Sequence, residues 1–161
     1  MYCLANSKNA DVCIQLESPD QLDVQRLVEA LDKYQKPLYP AESHHGIDLA
    51  ALKEPNVLFA VARTNGRAAI GCGAVVLGPE YGELKRMFVS PSVRRQGWGK
   101  KLLAFLEERA RDQGCTRFVL ETGYLQREAI ALYLRCGYRY CGPFGTYTDD
   151  PNSVFLCKDV I

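Results

Sequence analysis

The chain has 161 residues, 47% hydrophobic and 24% charged, an ordinary globular mix that argues against broad disorder. Its length fits one domain over residues 1–161, able to bury roughly two-thirds of its unfolded surface. Twenty Lys and Arg against 19 Asp and Glu leave a net charge of +1, which gives no general affinity for nucleic acid or an anionic membrane.

No apolar run approaches the ~20 residues that span a bilayer, and Met1–Ala10 carries no signal-peptide pattern. A soluble, cytoplasmic protein is expected. Val12–Glu17 reads as a strand. Ser18-Pro19-Asp20-Gln21 reads as a capping box before a helix whose apolar positions are Val24, Leu27, Val28, Leu31 and Tyr34. Lys36-Pro37-Leu38-Tyr39-Pro40 stops that helix. A polar stretch with both histidines follows, then a short helix over Ile47–Lys53.

Three strands come next. They are Val57–Arg63, closed by the hairpin signal Asn65-Gly66, then Ala68–Leu77 and Tyr81–Val89. An amphipathic helix is expected over Gly97–Gln113, with Leu102, Leu103, Leu106 and Ala110 on one side and Gly114 as its C-cap. Thr116–Thr122 suits a central strand, and Gln126–Arg135 a helix capped by Gly137. Tyr138–Cys141 and Ser153–Val160 are the last strands. An antiparallel meander followed by a strand–helix–strand unit implies an α/β (α+β) fold with a mixed, mostly antiparallel sheet.

The seven cysteines are odd in number and irregularly spaced, with no CxxC pair. That pattern disfavours a disulfide framework or a zinc site, and reduced, mostly buried thiols are expected.

Chemistry concentrates in Val89-Ser90-Pro91-Ser92-Val93-Arg94-Arg95-Gln96-Gly97-Trp98-Gly99-Lys100-Lys101. Two glycines let the backbone turn tightly where a helix begins, and the free N–H groups of the first turn make a ready phosphate site. Arg94, Arg95, Lys100 and Lys101 add positive charge, so a pyrophosphate is a natural guest. The alternatives are an ordinary turn and a solvated basic face. A Walker loop is excluded because no GxxxxGK[ST] occurs. A dinucleotide fold is disfavoured by the missing third glycine.

Arg94-x-x-Gly97-x-Gly99 resembles the [QR]-x-x-G-x-[GA] signature of the GNAT superfamily of acyl-CoA N-acyltransferases. The strand end Met87-Phe88-Val89 and Ala129-x-x-x-Tyr133-x-x-x-Gly137-Tyr138 resemble further elements of that family, and the order of elements agrees along the chain. The resemblance implies a GNAT fold with about four helices flanking a sheet that is splayed at the acetyl-CoA site. It implies acetyl-CoA as co-substrate and no metal. The pyrophosphate would rest on backbone N–H groups over Gln96–Lys101, including those of Gly97, Trp98, Gly99 and Lys100. The pantetheine would run along Met87, Phe88 and Val89. The Met87 N–H would polarise the thioester carbonyl, and an amine would attack directly.

The resemblance puts Tyr133 where relatives place the acid for the departing thiolate, with core packing as the alternative. Glu83 occupies the base position of histone-type relatives, with an ion pair to Lys85 or Arg86 as the alternative. Glu121 is a second candidate base or an acceptor contact. Many relatives have Asn where this chain has Gln126, which puts that cofactor contact in doubt.

Acceptor contacts are expected from Tyr39, His44, His45, Glu121 and Asn152, in two loops rich in hydrogen-bonding groups. The competing reading is ordinary turn chemistry and exposed histidines. Leu120-Glu121-Thr122-Gly123 with Pro143-Phe144 and Asp150-Pro151-Asn152-Ser153 is similar to a bacterial subgroup of the superfamily, some members of which are labelled indole-acetate acetyltransferases. A small polar amine is the default acceptor. The alternatives are acetylation of a protein amine, a non-catalytic acyl-CoA-binding module, and an acyl-cysteine route through Cys115 or Cys136, which no helix N-terminus favours. Homodimers are common in the superfamily, and no residue here specifies one.

Overall fold

The structure, a computed structural model, describes residues 2–6, 9–65 and 67–160, with side chains from residue 12 onward. Eight strands form one sheet in the order β1-β2-β3-β4-β5-β6-β8-β7. They are β1 (Tyr2–Asn6), β2 (Asn9–Leu16), β3 (Val57–Thr64), β4 (Ala68–Leu77), β5 (Gly82–Val89), β6 (Arg117–Gly123), β7 (Arg139–Cys141) and β8 (Ser153–Asp159). The helices are α1 (Leu22–Gln35), α2 (Leu49–Leu52), α3 (Trp98–Asp112) and α4 (Arg127–Arg135). Among the described residues only β5 and β6 pair in parallel, so the sheet is mixed and mostly antiparallel, as the sequence implies.

β3 and β4 are buried on both faces, which is why they read as nearly continuous apolar runs. Alternation sends Leu58, Ala60 and Ala62 into the layer under α3, with Leu102, Leu103 and Leu106. Phe59 and Val61 go into the layer under α1, with Val24, Leu27, Leu31 and, from α2, Leu52. The meander is held at its first turn by Asn65, at φ 48°, and by Arg67 N–H donating to Thr64 C=O at 2.9 Å. Gly66 itself lies outside the described residues.

Two expectations change. β1 adds a strand to the expected seven: five residues on the outer edge of the sheet, too short to show a pattern of their own. The capping box does not form. Gln21 is the N-cap without a side-chain bond, and α1 starts at Leu22. Gln21 Oε1 accepts instead from Arg63 at 3.2 Å, and Ser18 Oγ accepts from Asp20 N–H at 3.1 Å while Gln21 N–H donates to Pro19 C=O at 2.9 Å, so neither half of the box is made. Cap chemistry is instead used at α2, where Asp48 Oδ1 accepts from Ala51 N–H at 2.8 Å.

Among the described cysteines, Cys72 and Cys157 are buried, whereas Cys13, Cys115, Cys136 and Cys141 are half-buried; the side chain of Cys3 lies outside the described residues. The half-buried majority correct the expectation of mostly buried thiols. Cys115 and Cys136 follow the ends of α3 and α4, Cys141 lies on the short edge strand β7, and Cys13 lies in β2 near the other edge of the sheet.

Candidate active site

The site begins with a failure of strand pairing. β5 and β6 share register only at Gly82–Phe118, Glu83–Val119 and Leu84–Leu120. Beyond those pairs the strands part. On its other side β5 carries a bulge, with Arg86 and Met87 standing opposite the single residue Gly73 of β4. Arg86 takes a positive φ of 57° there. The absent side chain of Gly73 makes room for the Met87 thioether, which lies where a Cβ would have to be. Arg86 turns toward the α1 side, where it donates to Asp32 Oδ1 at 2.5 Å and to Ile47 C=O at 2.7 Å.

The gap between the parted strands is a cleft of about 270 Å³. Leu84, Phe118 and Leu120 belong to the layer under α3, so alternation puts Glu83 and Glu121 on the opposite, α1 face. Tyr133 comes from α4 on the α3 side and still lines the same cleft. The cleft therefore runs through the sheet, with carboxylates at one face and a phenol at the other.

On the α1 face, Glu83 is engaged through one oxygen. Tyr147 Oη donates to Glu83 Oε2 at 2.6 Å, and Lys85 Nζ lies 3.2 Å from the same oxygen. Lys85 also donates to Tyr147 Oη at 2.9 Å and to His45 C=O at 2.8 Å. Of the two ion pairs the sequence allowed, Lys85 is the partner and Arg86 is not. Glu121 differs: burial raises its carboxyl above the usual range, while Ser153, His45 and Lys85 oppose the shift.

The loops complete this face. Ser43, buried, donates to Asp150 Oδ2 at 2.5 Å, and Asn152 Nδ2 donates to Ser43 Oγ at 3.3 Å. These bonds tie the segment 41–43 to the loop after β7. Tyr39 lies over Gly123, where any Cβ would meet its ring, and burial raises its phenol. The His45 ring meets Tyr147 edge-on at 5.1 Å. The exposed His44 is held within its own loop, with Nε2 3.0 Å from Tyr39 C=O. Among the described residues no group of three or more His, Cys, Asp or Glu is arranged to hold a metal ion.

On the α3 side, Tyr133 is buried and packs edge-on against Tyr138 at 5.7 Å. Burial raises its phenol well above the usual value, so it is a proton donor rather than a phenolate at neutral pH. Core packing and cleft lining thus hold together for this residue. Gln126 Oε1 accepts from Gln35 Nε2 at 3.2 Å, a bond that joins α1 to α4 at the cleft.

The glycine turn lies at the start of α3. Gly97 is the N-cap at φ 84°, and a Cβ there would meet only open space. The first bond from this end runs from Lys101 N–H to Gly97 C=O at 3.1 Å, so the N–H groups of Trp98, Gly99 and Lys100 precede the helical ladder. The cations divide. Arg94 donates to Val89 C=O at 3.0 Å and sits over the Phe88 ring, and Lys101 lies 4.2 Å from the Trp98 ring centre. Arg95 and Lys100 are exposed, Arg95 at φ 65° and 3.8 Å from Glu128. The Trp98 side chain is buried in the core, which leaves its backbone as the part facing a ligand. Gln96 is exposed beside it, 3.4 Å from the indole N–H. Burial raises the Cys136 thiol, and Cys115 Sγ donates to Arg117 C=O at 3.3 Å, neither of them a nucleophile's setting.

The cleft brings together Glu83, Met87, Glu121, Gln126, Tyr133, Tyr39, His44, His45 and Asn152 from β5, β6, α4 with its N-cap, the stretch after α1 and the loop before β8. Arg94 to Lys100 stand apart from it, at the α3 turn. Sequence reasoning missed Lys85 and Tyr147 as site residues. The aromatic content of the 143–153 loop was the available signal for Tyr147.

A fold with this split belongs to the acyl-CoA N-acyltransferase class. A Klebsiella pneumoniae chain assigned to that class superposes with a TM-score of 0.83 at 38% identity, over 93% of this chain and 98% of that one. The Thermoplasma acidophilum N-acetyltransferase solved with coenzyme A shares the fold, with a TM-score of 0.71 at 15% identity over 92% and 98% of the two chains. The Acetyltransferase (GNAT) family model matches residues 24–138. An IAA acetyltransferase of Azospirillum brasilense is 47% identical over 150 residues, 92% of this chain and 97% of that one. The chain belongs to the GNAT family of acetyltransferases.

Proposed function

We propose that the chain moves the acetyl group of acetyl-CoA to the amine of a small polar acceptor by direct attack on the thioester. One observation carries this reading: the split between β5 and β6 has proton-accepting carboxylates at one face and a protonated tyrosine at the other. The helix start suits a pyrophosphate, because its N–H groups precede the helical ladder and the Gly97 position opens on free space. Acetyl-CoA, when bound, supplies an activated acyl carbon.

The chain's own groups do the rest. Glu121 takes a proton from the acceptor's ammonium and leaves a free lone pair, a task its raised carboxyl suits. The Met87 N–H, on the bulge of β5, donates to the carbonyl oxygen as charge develops there, an effect worth ~3 kcal/mol. Tyr133 gives its hydroxyl proton to the sulfur as the new C–N bond forms and the C–S bond breaks. The acylated nitrogen sheds its remaining extra proton to water in the cleft, a proton returns from water to the Tyr133 oxygen, and Glu121 releases its own to solvent.

The likeness to a relative named IAA acetyltransferase supports a small-molecule acceptor over a protein amine. The test is a panel of amino acids, aminoalkylphosphonates, polyamines, aromatic amines and an N-terminal peptide, followed by CoA release and product mass. One panel amine should give a product heavier by one acetyl group. Tight acetyl-CoA binding with no CoA release from any amine would instead make the chain a binding module.

A further inference from the structure

We propose that Tyr147 is a positioning residue that divides the two cleft carboxylates, holding Glu83 in a closed pair with Lys85 and leaving Glu121 to take the acceptor's proton. This rests on the cleft being an acetyl-transfer site. Oxygen Oε2 of Glu83 receives both the Tyr147 hydroxyl, at 2.6 Å, and the Lys85 ammonium, at 3.2 Å. The Lys85–Tyr147 bond of 2.9 Å closes the triangle. Glu83 and Lys85 side chains are only 15% and 13% exposed, so little water competes for them.

Tyr147 cannot easily swing away. Its ring is met edge-on by Phe144 at 5.0 Å, His45 at 5.1 Å and Phe155 at 5.6 Å. Phe155 pairs in register with Glu121 across β8 and β6, so the ring that packs on Tyr147 is the cross-strand neighbour of the second carboxylate. The titratable or polar groups facing Glu121 are Glu83 and Lys85 from β5, His45 from the loop after α1, Ser153 from β8, and the phenols of Tyr39 and Tyr147. Of the two carboxylates only Glu83 has an ion pair within 4 Å. The hydroxyl of Tyr147 thus acts on chemistry through Glu83 and Lys85 rather than on a reactant.

The test has two arms. The first needs no acceptor. In protein labelled with [13Cδ]glutamate, Glu83→Gln and Glu121→Gln identify the two carboxyl signals. Tyr147→Phe, which keeps the ring and its packing, should move the Glu83 signal, and the wild-type Glu121 signal should titrate above the ordinary carboxylate range. An unmoved Glu83 signal, or a Glu121 signal in the ordinary range, overturns the proposal. The second arm uses the fastest amine of the panel above. Glu121→Gln should lower kcat on the order of 10²-fold. Tyr147→Phe and Glu83→Gln should each lower kcat about tenfold with the acetyl-CoA KM unchanged, and the double variant should be no worse than either single one. Additive losses, or a larger loss from Glu83→Gln than from Glu121→Gln, also overturn it. A chain that passes the first arm and releases no CoA with any amine has failed the acetyl-transfer reading and kept the Tyr147–Glu83 lock.

Discussion

The Met87 thioether fills the space that a side chain on Gly73 would need, so the β5 bulge and the glycine opposite it are one device. Gly73→Val forces the two apart inside a packed layer. It is expected to destabilise the fold by about 1–3 kcal/mol. It should also weaken acetyl-CoA binding, because Met87 lines the cleft. Urea unfolding and calorimetry check the pair, and a variant that binds normally would detach the bulge from the cofactor.

Gly97→Glu should abolish acetyl-CoA binding in calorimetry while the protein stays folded. The φ of 84° costs a non-glycine residue about 1–2 kcal/mol. The larger effect is a negative charge at the helix start. Gly97→Ala carries the backbone cost without the charge, so the gap between the two variants measures the electrostatic part.

Tyr133→Phe should lower kcat and leave acetyl-CoA affinity unchanged, since the ring keeps its packing on Tyr138 and loses only the proton. An unchanged rate would return Tyr133 to a purely structural role.

Glu121 makes stability depend on pH in a defined direction. Burial raises its folded carboxyl above the unfolded value, so the folded state binds more protons between the two values. Stability from this group therefore falls as pH rises through that window, and the cost is fully present above the folded value. Glu121→Gln should be more stable than wild type at pH 8 and gain nothing at a pH below the unfolded value. Urea midpoints at both pH values check it.

Glu107, 7% exposed, accepts from Lys158 Nζ at 2.8 and 3.0 Å and from Tyr138 Oη at 3.3 Å. Glu107→Ala leaves Lys158 beside the apolar layer and should cost about 3 kcal/mol, at the low end for a buried pair because Lys158 reaches water. Glu107→Leu with Lys158→Met should recover most of it. Because Tyr138 supports Tyr133, the single variant should also lose turnover.

The legible parts of the fold are those with local causes. β4 was readable to the residue because alternating and continuous apolar runs end at turn residues, and α3 because Gly97 and Gly114 bracket an apolar stripe. α1 was misplaced at its start because Gln21, the expected reciprocal cap, answers to Arg63, 42 residues away. The site divides in the same way. Glu83, Glu121 and Tyr133 stand out by position in strands or motif. Lys85 was legible as a neighbour of Glu83, but Tyr147 gains its role only from contacts 62–64 residues apart, which spacing does not encode.

A cleft that passes through a sheet has two mouths. Reactants that enter by opposite mouths never queue for one channel, and neither must leave before the other arrives. Such a site favours both partners being present at once over a shuttle that stores the acyl group on the protein, and the double-reciprocal plots of its steady-state rates would intersect rather than run parallel.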